Sequence, residues 1–367
     1  MRKITGYLVF LCVLCASSVD LMGQETPPAP GAPRPVELPA VQEKKLPNSL
    51  TVAVVERKSV PMVTIQLLVR CGASCERPSK AGLADLTASM LAKGTKSKTA
   101  TQIAEAIEFL GGSINSGAGW NSSFVSVTVT SDKVDRAMAI LADVVLNPKF
   151  DEKELELLKA QTLDGLTYNL KEPTFLANYV ASKYSFDEHP VGGTPASIGK
   201  ITVADVKAFH ENYFRSNSTV LIFTGDISAA KAMRLTASNF SSMKPIEGIG
   251  TGSSNNGYKG VPTKTLERIL VIDLPNSGQA SVGYFKRVGG FGRRSDKYFP
   301  AMVYNSVLGG GYSSRLNMEI RIKRGLSYGA GSGFGWRDST ANFSTRAQTK
   351  NESAPQVAEL VVAEIDK

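Results

Sequence analysis

Apolar and polar residues alternate in some stretches of this chain and recur every three to four positions in others. The two periods separate strands from helices. Alternation marks Asn48 to Arg57, Val63 to Val69, Ser123 to Thr130 and the β-branched run Thr219 to Thr224, which closes at Gly225-Asp226. Helical spacing marks Gly82 to Lys93, with Leu83, Leu86, Met90 and Leu91 on one side, then Thr101 to Leu110 and Lys133 to Leu146. A long helix is predicted from about Asp151 to Leu170, with Pro173 just past its end, and Thr202, ahead of Ala204, Asp205 and Val206, opens another through Tyr213. Further on, Arg268 to Asp273 and Ala280 to Arg287 read as strands, and Tyr298 to Leu308 and Pro355 to Lys367 as helices.

Two stretches break these patterns. Pro27 to Pro39 holds six prolines and reads as an extended tether. Lys244 to Pro262 is rich in Gly, Ser and Asn and reads as a linker between domains. On either side of that linker a short motif recurs. Ser116-Gly117-Ala118-Gly119-Trp120 is echoed by Ser332-Gly333-Phe334-Gly335-Trp336, with the only two tryptophans of the chain 216 residues apart. The echo implies two homologous domains of roughly 200 residues, so a second unit of full length would run to about residue 456. The second domain therefore reads as truncated: either the sequence is a fragment, the favoured reading, or the second domain is genuinely abbreviated. The expected organisation is a signal peptide over 1–23, a Pro-rich linker over 24–45, a first domain over 46–243, a linker over 244–262 and an incomplete second domain over 263–367.

Composition narrows the function. There are 42 Lys and Arg against 33 acids, spread along the chain without a basic stripe interleaved with aromatics, so nucleic-acid binding is not expected. Arg2 and Lys3 precede an apolar run from Tyr7 to Ala16 and then small residues, the pattern of an export signal too short to span a bilayer comfortably. Cys15 lacks the upstream Leu expected of a lipoprotein signal. The mature chain is expected in the periplasm or outside the cell, with no membrane span. Cys71 and Cys75 then remain, as a disulfide or two free thiols in an oxidising compartment.

The helix from Gly82 reads Gly82-Leu83-Ala84-Asp85-Leu86-Thr87-Ala88-Ser89-Met90 and ends at Lys93-Gly94-Thr95. Together with His189-Pro190-Val191-Gly192, the strand from Asn217 to Asp226 and the segment from Leu308 to Tyr328, it resembles the inverted-zincin metallopeptidase family of pitrilysin, insulinase and the mitochondrial processing peptidases. The resemblance covers roughly residues 46 to 350. It implies an α+β fold of two homologous domains, each an antiparallel sheet covered by helices, in a clamshell arrangement. In active members this helix carries His-x-x-Glu-His. Two histidines four apart share a helical face and hold zinc, and the Glu between them activates the bound water. Here those positions carry Asp85, Ala88 and Ser89, and the family's third ligand falls near Asp164-Gly165. The chain has only two histidines, His189 and His210, and neither is spaced with a partner. No metal is expected in this chain, no catalytic residue is assigned, and hydrolysis by it alone is not expected.

The second domain keeps a different feature. Arg321 and Tyr328 match the family's Arg-x-x-x-Gly-Leu-x-Tyr pattern, which implies contact with substrate near the zinc of the opposite half. A Tyr hydroxyl can donate to a scissile carbonyl, and an Arg fork can bridge carbonyls or a carboxylate. An Arg at a helix end and a Tyr packed on a sheet is the plain alternative. Gly309-Gly310-Gly311 is either a mobile substrate-guiding loop or a tight turn needing positive φ. The expectation is a non-catalytic, substrate-binding subunit of an exported heterodimeric zinc endopeptidase. Zinc is expected in a partner subunit of the same family, and a peptide is the substrate. The alternative is a catalytically silent binding or structural protein on the same fold.

Overall fold

The computed structural model describes residues 31–32, 38–246, 269–337 and 340–367. The expected signal peptide, most of the Pro-rich tether and most of the interdomain linker lie outside the described residues.

The first half runs through β1 (Gln42–Lys45), β2 (Thr51–Glu56), β3 (Met62–Val69), α1 (Leu83–Met90), α2 (Ala100–Phe109), β4 (Ser113–Ala118), β5 (Ser123–Thr130) and α3 (Val134–Leu146). Then follow α4 (Glu152–Asn169), α5 (Pro173–Tyr184), α6 (Pro195–Gly199), α7 (Val203–Tyr213), β6 (Thr219–Gly225) and α8 (Ala229–Phe240). The second half contains β7 (Gln279–Val282), β8 (Phe285–Gly289), α9 (Tyr298–Leu308), α10 (Arg315–Asn317) running into a π-helical turn (Met318–Ile322), β9 (Ser327–Trp336), β10 (Thr340–Lys350) and α11 (Ala354–Asp366). Both halves belong to one compact unit, 39–367.

Alternation explains the first sheet, whose order is β1-β2-β6-β3-β5-β4. Val63, Ile65, Leu67 and Val69 on β3 and Val125, Val127 and Val129 on β5 are fully buried, while the residues between them are half-exposed. One face is therefore dry and covered by helices, as in antiparallel sheets that pack on one side. Each such side chain removed from water stabilises by about 1.5–3 kcal/mol. All pairs are antiparallel except β2–β6, which is parallel. The chain leaves the sheet for the long helical excursion of α3 to α7 and returns to pair with β2 in the same direction.

Sequence and structure differ at several elements. β1 lies inside the stretch expected to be a tether and pairs antiparallel with β2, from Gln42 opposite Val54 to Lys45 opposite Thr51. Its polar side chains are exposed, so it carries no burial signal; it is held by backbone pairing and by one side-chain bond, from Gln42 Nε2 to Glu56 Oε1 (3.3 Å). Ile246, expected in the linker, is pinned by Asn217, whose side chain both donates to Ile246 O (3.0 Å) and accepts from its N–H (3.1 Å). The expected strand near 268–273 forms no ladder over residues 269–273. Alternation alone supplies no neighbour to hydrogen-bond. The expected strand Ala280–Arg287 is split between β7 and β8. At the break Thr345 Oγ1 accepts from the Tyr284 N–H (2.9 Å), replacing a ladder bond with a side-chain one.

The repeat is structural. β3-α1-α2-β4-β5-α3 recurs as β7/β8-α9-α10-β9-β10-α11. β5 lies between β3 and β4, and β10 lies between β7/β8 and β9, antiparallel in every case. A second core gathers there from Leu308, Leu316, Ile320, Phe343, Val357 and Val361.

Candidate functional site

The N-terminus of α1 is closed by a buried carboxylate. Glu76 accepts from the N–H groups of Gly82 (2.8 Å) and Ala84 (2.7 Å), and His189 Nε2 lies 3.0 Å from the same Oε1 that meets Gly82. A carboxylate here satisfies two otherwise unpaired helix donors and meets the positive end of the helix dipole. Glu76 follows the loop closed by a Cys71–Cys75 disulfide, which agrees with one of the two states expected for these cysteines.

Within α1, Asp85 points to β4, where its Oδ1 accepts from the Ala118 N–H at 2.9 Å. Burial raises its pKa above the ordinary carboxylate value, and the Ala118 bond offsets part of that rise. Ala88 is wholly buried and Ser89 half-buried. Thr87 Oγ1 donates back to Leu83 O (2.7 Å). Asp164 lies on an exposed stretch of α4. These residues do not fit zinc. One carboxylate is already used to hold a strand, the central position is a methyl group, and the remaining neutral hydroxyl is a poor ligand. Among the described residues no three His, Cys, Asp or Glu side chains converge as a metal-binding group. The second histidine, His210, bonds Val145 O through Nε2 (2.9 Å) between Phe150 and Phe214, and burial pulls its pKa down.

The structure brings Arg321 and Tyr328 together. The Arg321 guanidinium lies over the Tyr328 ring at 4.9 Å and over the Tyr312 ring at 5.2 Å. Tyr328 is 89 % and Tyr312 67 % exposed. No acceptor among the described residues takes any Arg321 N–H. Local sequence explains the placement. Arg321 sits in the π-helical turn, whose wider ring swings a side chain off the regular helical face. Gly325, at φ 63°, stops the helix, and its N–H donates to Arg321 O (2.9 Å). Strand β9 then carries Tyr328 away. Asn317, buried behind the site, donates to Tyr312 O (2.6 Å) and accepts from the Ala330 N–H (3.4 Å), so one side chain holds both tyrosine-bearing backbones.

The glycine run before Tyr312 has a different basis from positive φ. Gly309 has φ −156°. A Cβ on it would stand 2.2 Å from Ser332 N, and one on Gly310 would stand 2.8 Å from Ser306 Cα. Both are needed for close backbone approach, and they dock the end of α9 onto β9.

Sequence reasoning missed Tyr312 as a partner of Arg321. Its signal was an aromatic residue directly after three glycines. It also missed the link between the halves. Glu188, nearly buried, accepts from Arg337 through both carboxylate oxygens (3.2 and 2.7 Å) and from Asn342 (3.1 Å). Arg337 lies over the Trp120 ring, which packs on His189. Both tryptophan motifs thus end near this junction, since Arg337 follows Trp336 directly.

Two family models match the chain. Residues 51–184 match the insulinase model, peptidase family M16, and residues 200–367 match the peptidase M16 inactive domain. The chain belongs to peptidase family M16. It is 27 % identical over 300 residues to an uncharacterized zinc protease of Rickettsia bellii, covering 78 % of this chain and 68 % of that protein. It is 28 % identical over 280 residues to the non-peptidase homolog YmxG of Helicobacter pylori, covering 74 % of this chain and 62 % of that protein. The crystal structure of a peptidase M16 inactive domain from Pseudomonas fluorescens superposes with a TM-score of 0.74 at 27 % identity, covering 89 % of this chain and 78 % of that one. The inactive-domain matches and the non-peptidase relative support a non-catalytic M16 member. No helix among the described residues is long and apolar enough to cross a membrane.

Proposed function

We propose that this chain is the substrate-binding subunit of a two-chain zinc endopeptidase that works outside the cytoplasm. A partner subunit of the same family carries the zinc, and Arg321 and Tyr328 act on the partner's peptide substrate. The observation that carries the reading is the contrast between two sets of polar groups. Glu76 and Asp85, at helix α1, are engaged inside the fold, whereas Arg321 meets no acceptor among the described residues and lies beside two exposed tyrosines. A Tyr hydroxyl and an Arg fork are suited to a peptide carbonyl on which negative charge develops. Export rests on the N-terminal sequence, and peptide as the substrate class rests on family membership.

The test is peptide cleavage by this chain mixed with an intact His-x-x-Glu-His homologue from the same organism. Activity is expected only in the mixture, with loss on chelation. Arg321→Ala combined with Tyr328→Phe should lower kcat/KM about 100-fold or more, since one oxyanion donor alone is worth about 10²–10³. Unchanged cleavage by the double variant would remove these residues from the site. Absence of both activity and association would favour the second reading, a binding or structural protein on this fold, in keeping with the non-peptidase name of the Helicobacter relative.

A further inference from the structure

We propose that Tyr312, Arg321 and Tyr328 form a receptor for a carboxylate, presented by the C-terminus or an acidic side chain of an extended peptide. This rests on the reading that the segment meets peptide and names the group it recognises there.

Charge is the first argument. From Leu308 to Tyr328 the chain carries four basic residues, Arg315, Arg321, Lys323 and Arg324, against one acid, Glu319. Glu319 is ion-paired with both Lys323 and Arg324, and this pairing pulls its pKa down to about 2. Arg315 pairs with Glu364. Arg321 is left with no carboxylate partner among the described residues.

Geometry is the second. The guanidinium carbon lies over both tyrosine rings, at 5.2 and 4.9 Å from their centroids, and no acceptor among the described residues takes its N–H groups, so its donor edge is available. That edge matches an acceptor with two coplanar oxygens. A single neutral carbonyl leaves most of the donors unmatched, so a carboxylate gains far more from the same fork. The third argument is preorganisation. Asn317 fixes the backbones on both sides, and the Gly325 stop fixes the turn, so little backbone ordering remains for the ligand to impose. Tyr312 is in this scheme a positioning residue, orienting the guanidinium from an exposed loop.

The experiment is fluorescence anisotropy of the full chain with three labelled, unstructured peptides. One has a neutral body and an amidated C-terminus, the second is the same peptide with a free C-terminal carboxylate, and the third is the amidated peptide with one central Glu. A carboxylate peptide should bind about tenfold tighter than the neutral amide, the gain expected of one charge-assisted contact. Preference for the second or third peptide distinguishes a terminal from a side-chain carboxylate. The preference should vanish in Arg321→Gln and shrink in Arg321→Lys, which keeps the charge and loses the fork. Tyr312→Leu should shrink it too, with the thermal midpoint unchanged because the side chain is exposed. If all three peptides bind alike, the carboxylate inference falls and peptide binding stands. A preference that persists in Arg321→Gln would assign it to diffuse surface charge and also overturn the inference. If none binds, the substrate-binding reading falls with it.

Discussion

Helices α1 and α9 occupy equivalent places beside the two sheets, yet they meet opposite surroundings. At their second and sixth positions α1 carries Ala84 and Ala88, both fully buried under α4 and α7. At the same positions α9 carries Phe299 and Val303, 75 % and 67 % exposed. The polar groups follow the same division. Around α1, Glu76, Asp85 and Thr87 all bond within the fold, whereas near α10 Arg321 holds its donors outward. One scaffold thus supports a sealed half, in which Asp85, Thr87 and Ala88 serve hydrogen bonding and packing, and an open half, in which charge and aromatic surface remain available.

The junction between the halves gives the largest expected effect. Glu188→Ala strands Arg337 and Asn342 and should cost about 3–5 kcal/mol, the range for breaking a buried ion pair. Chemical denaturation would measure it, and a loss below about 1 kcal/mol would mean the junction is not a structural tie. The sealed and open helices should differ next. Leu86→Ala should cost about 2–5 kcal/mol. Phe299→Ala on the matching helix should stay within about 0.5 kcal/mol. Equal losses would show that the α9 face is covered in solution.

The smallest effect is a pH dependence at Asp85. Its folded pKa is raised by burial, so the folded chain holds the proton more tightly than the unfolded one. Stability is therefore greater at low pH and is lost as pH rises from the ordinary carboxylate value through the raised one. Asp85→Asn can keep the bond from Ala118 without the buried charge. Its thermal midpoint should exceed that of the unchanged chain at neutral pH, with the gap closing towards pH 4. A gap independent of pH would show that the folded and unfolded chains hold the Asp85 proton equally tightly.

Strongly periodic elements were legible in the sequence. β5 runs over Ser123–Thr130 and α9 over Tyr298–Leu308, both at their expected bounds, because alternation and helical spacing are recorded residue by residue. β1 and β4 were not foreseen. Gln42–Lys45 is polar throughout, and Ser113–Ala118 is a Ser- and Gly-containing edge strand, so neither announces itself by burial. At the candidate site Arg321 and Tyr328 were visible because family spacing lies along the chain. Tyr312 was not visible as their partner, because its meeting with Arg321 depends on a π turn and on Asn317.

The sequence by itself determined the family, the echo of the two tryptophan motifs and a helix that carries Asp85, Ala88 and Ser89 without a histidine, since each is a matter of residue type at a fixed spacing. Only the tertiary structure decided what those residues do instead. It gave Asp85 to Ala118, Glu76 to the start of α1, and Glu188 to Arg337, and it set Arg321 over two tyrosines with no acceptor among the described residues. The reason is that a donor's partner is set by distance in space, and these partners stand from 6 to 149 residues away along the chain or are brought within reach by an irregular turn.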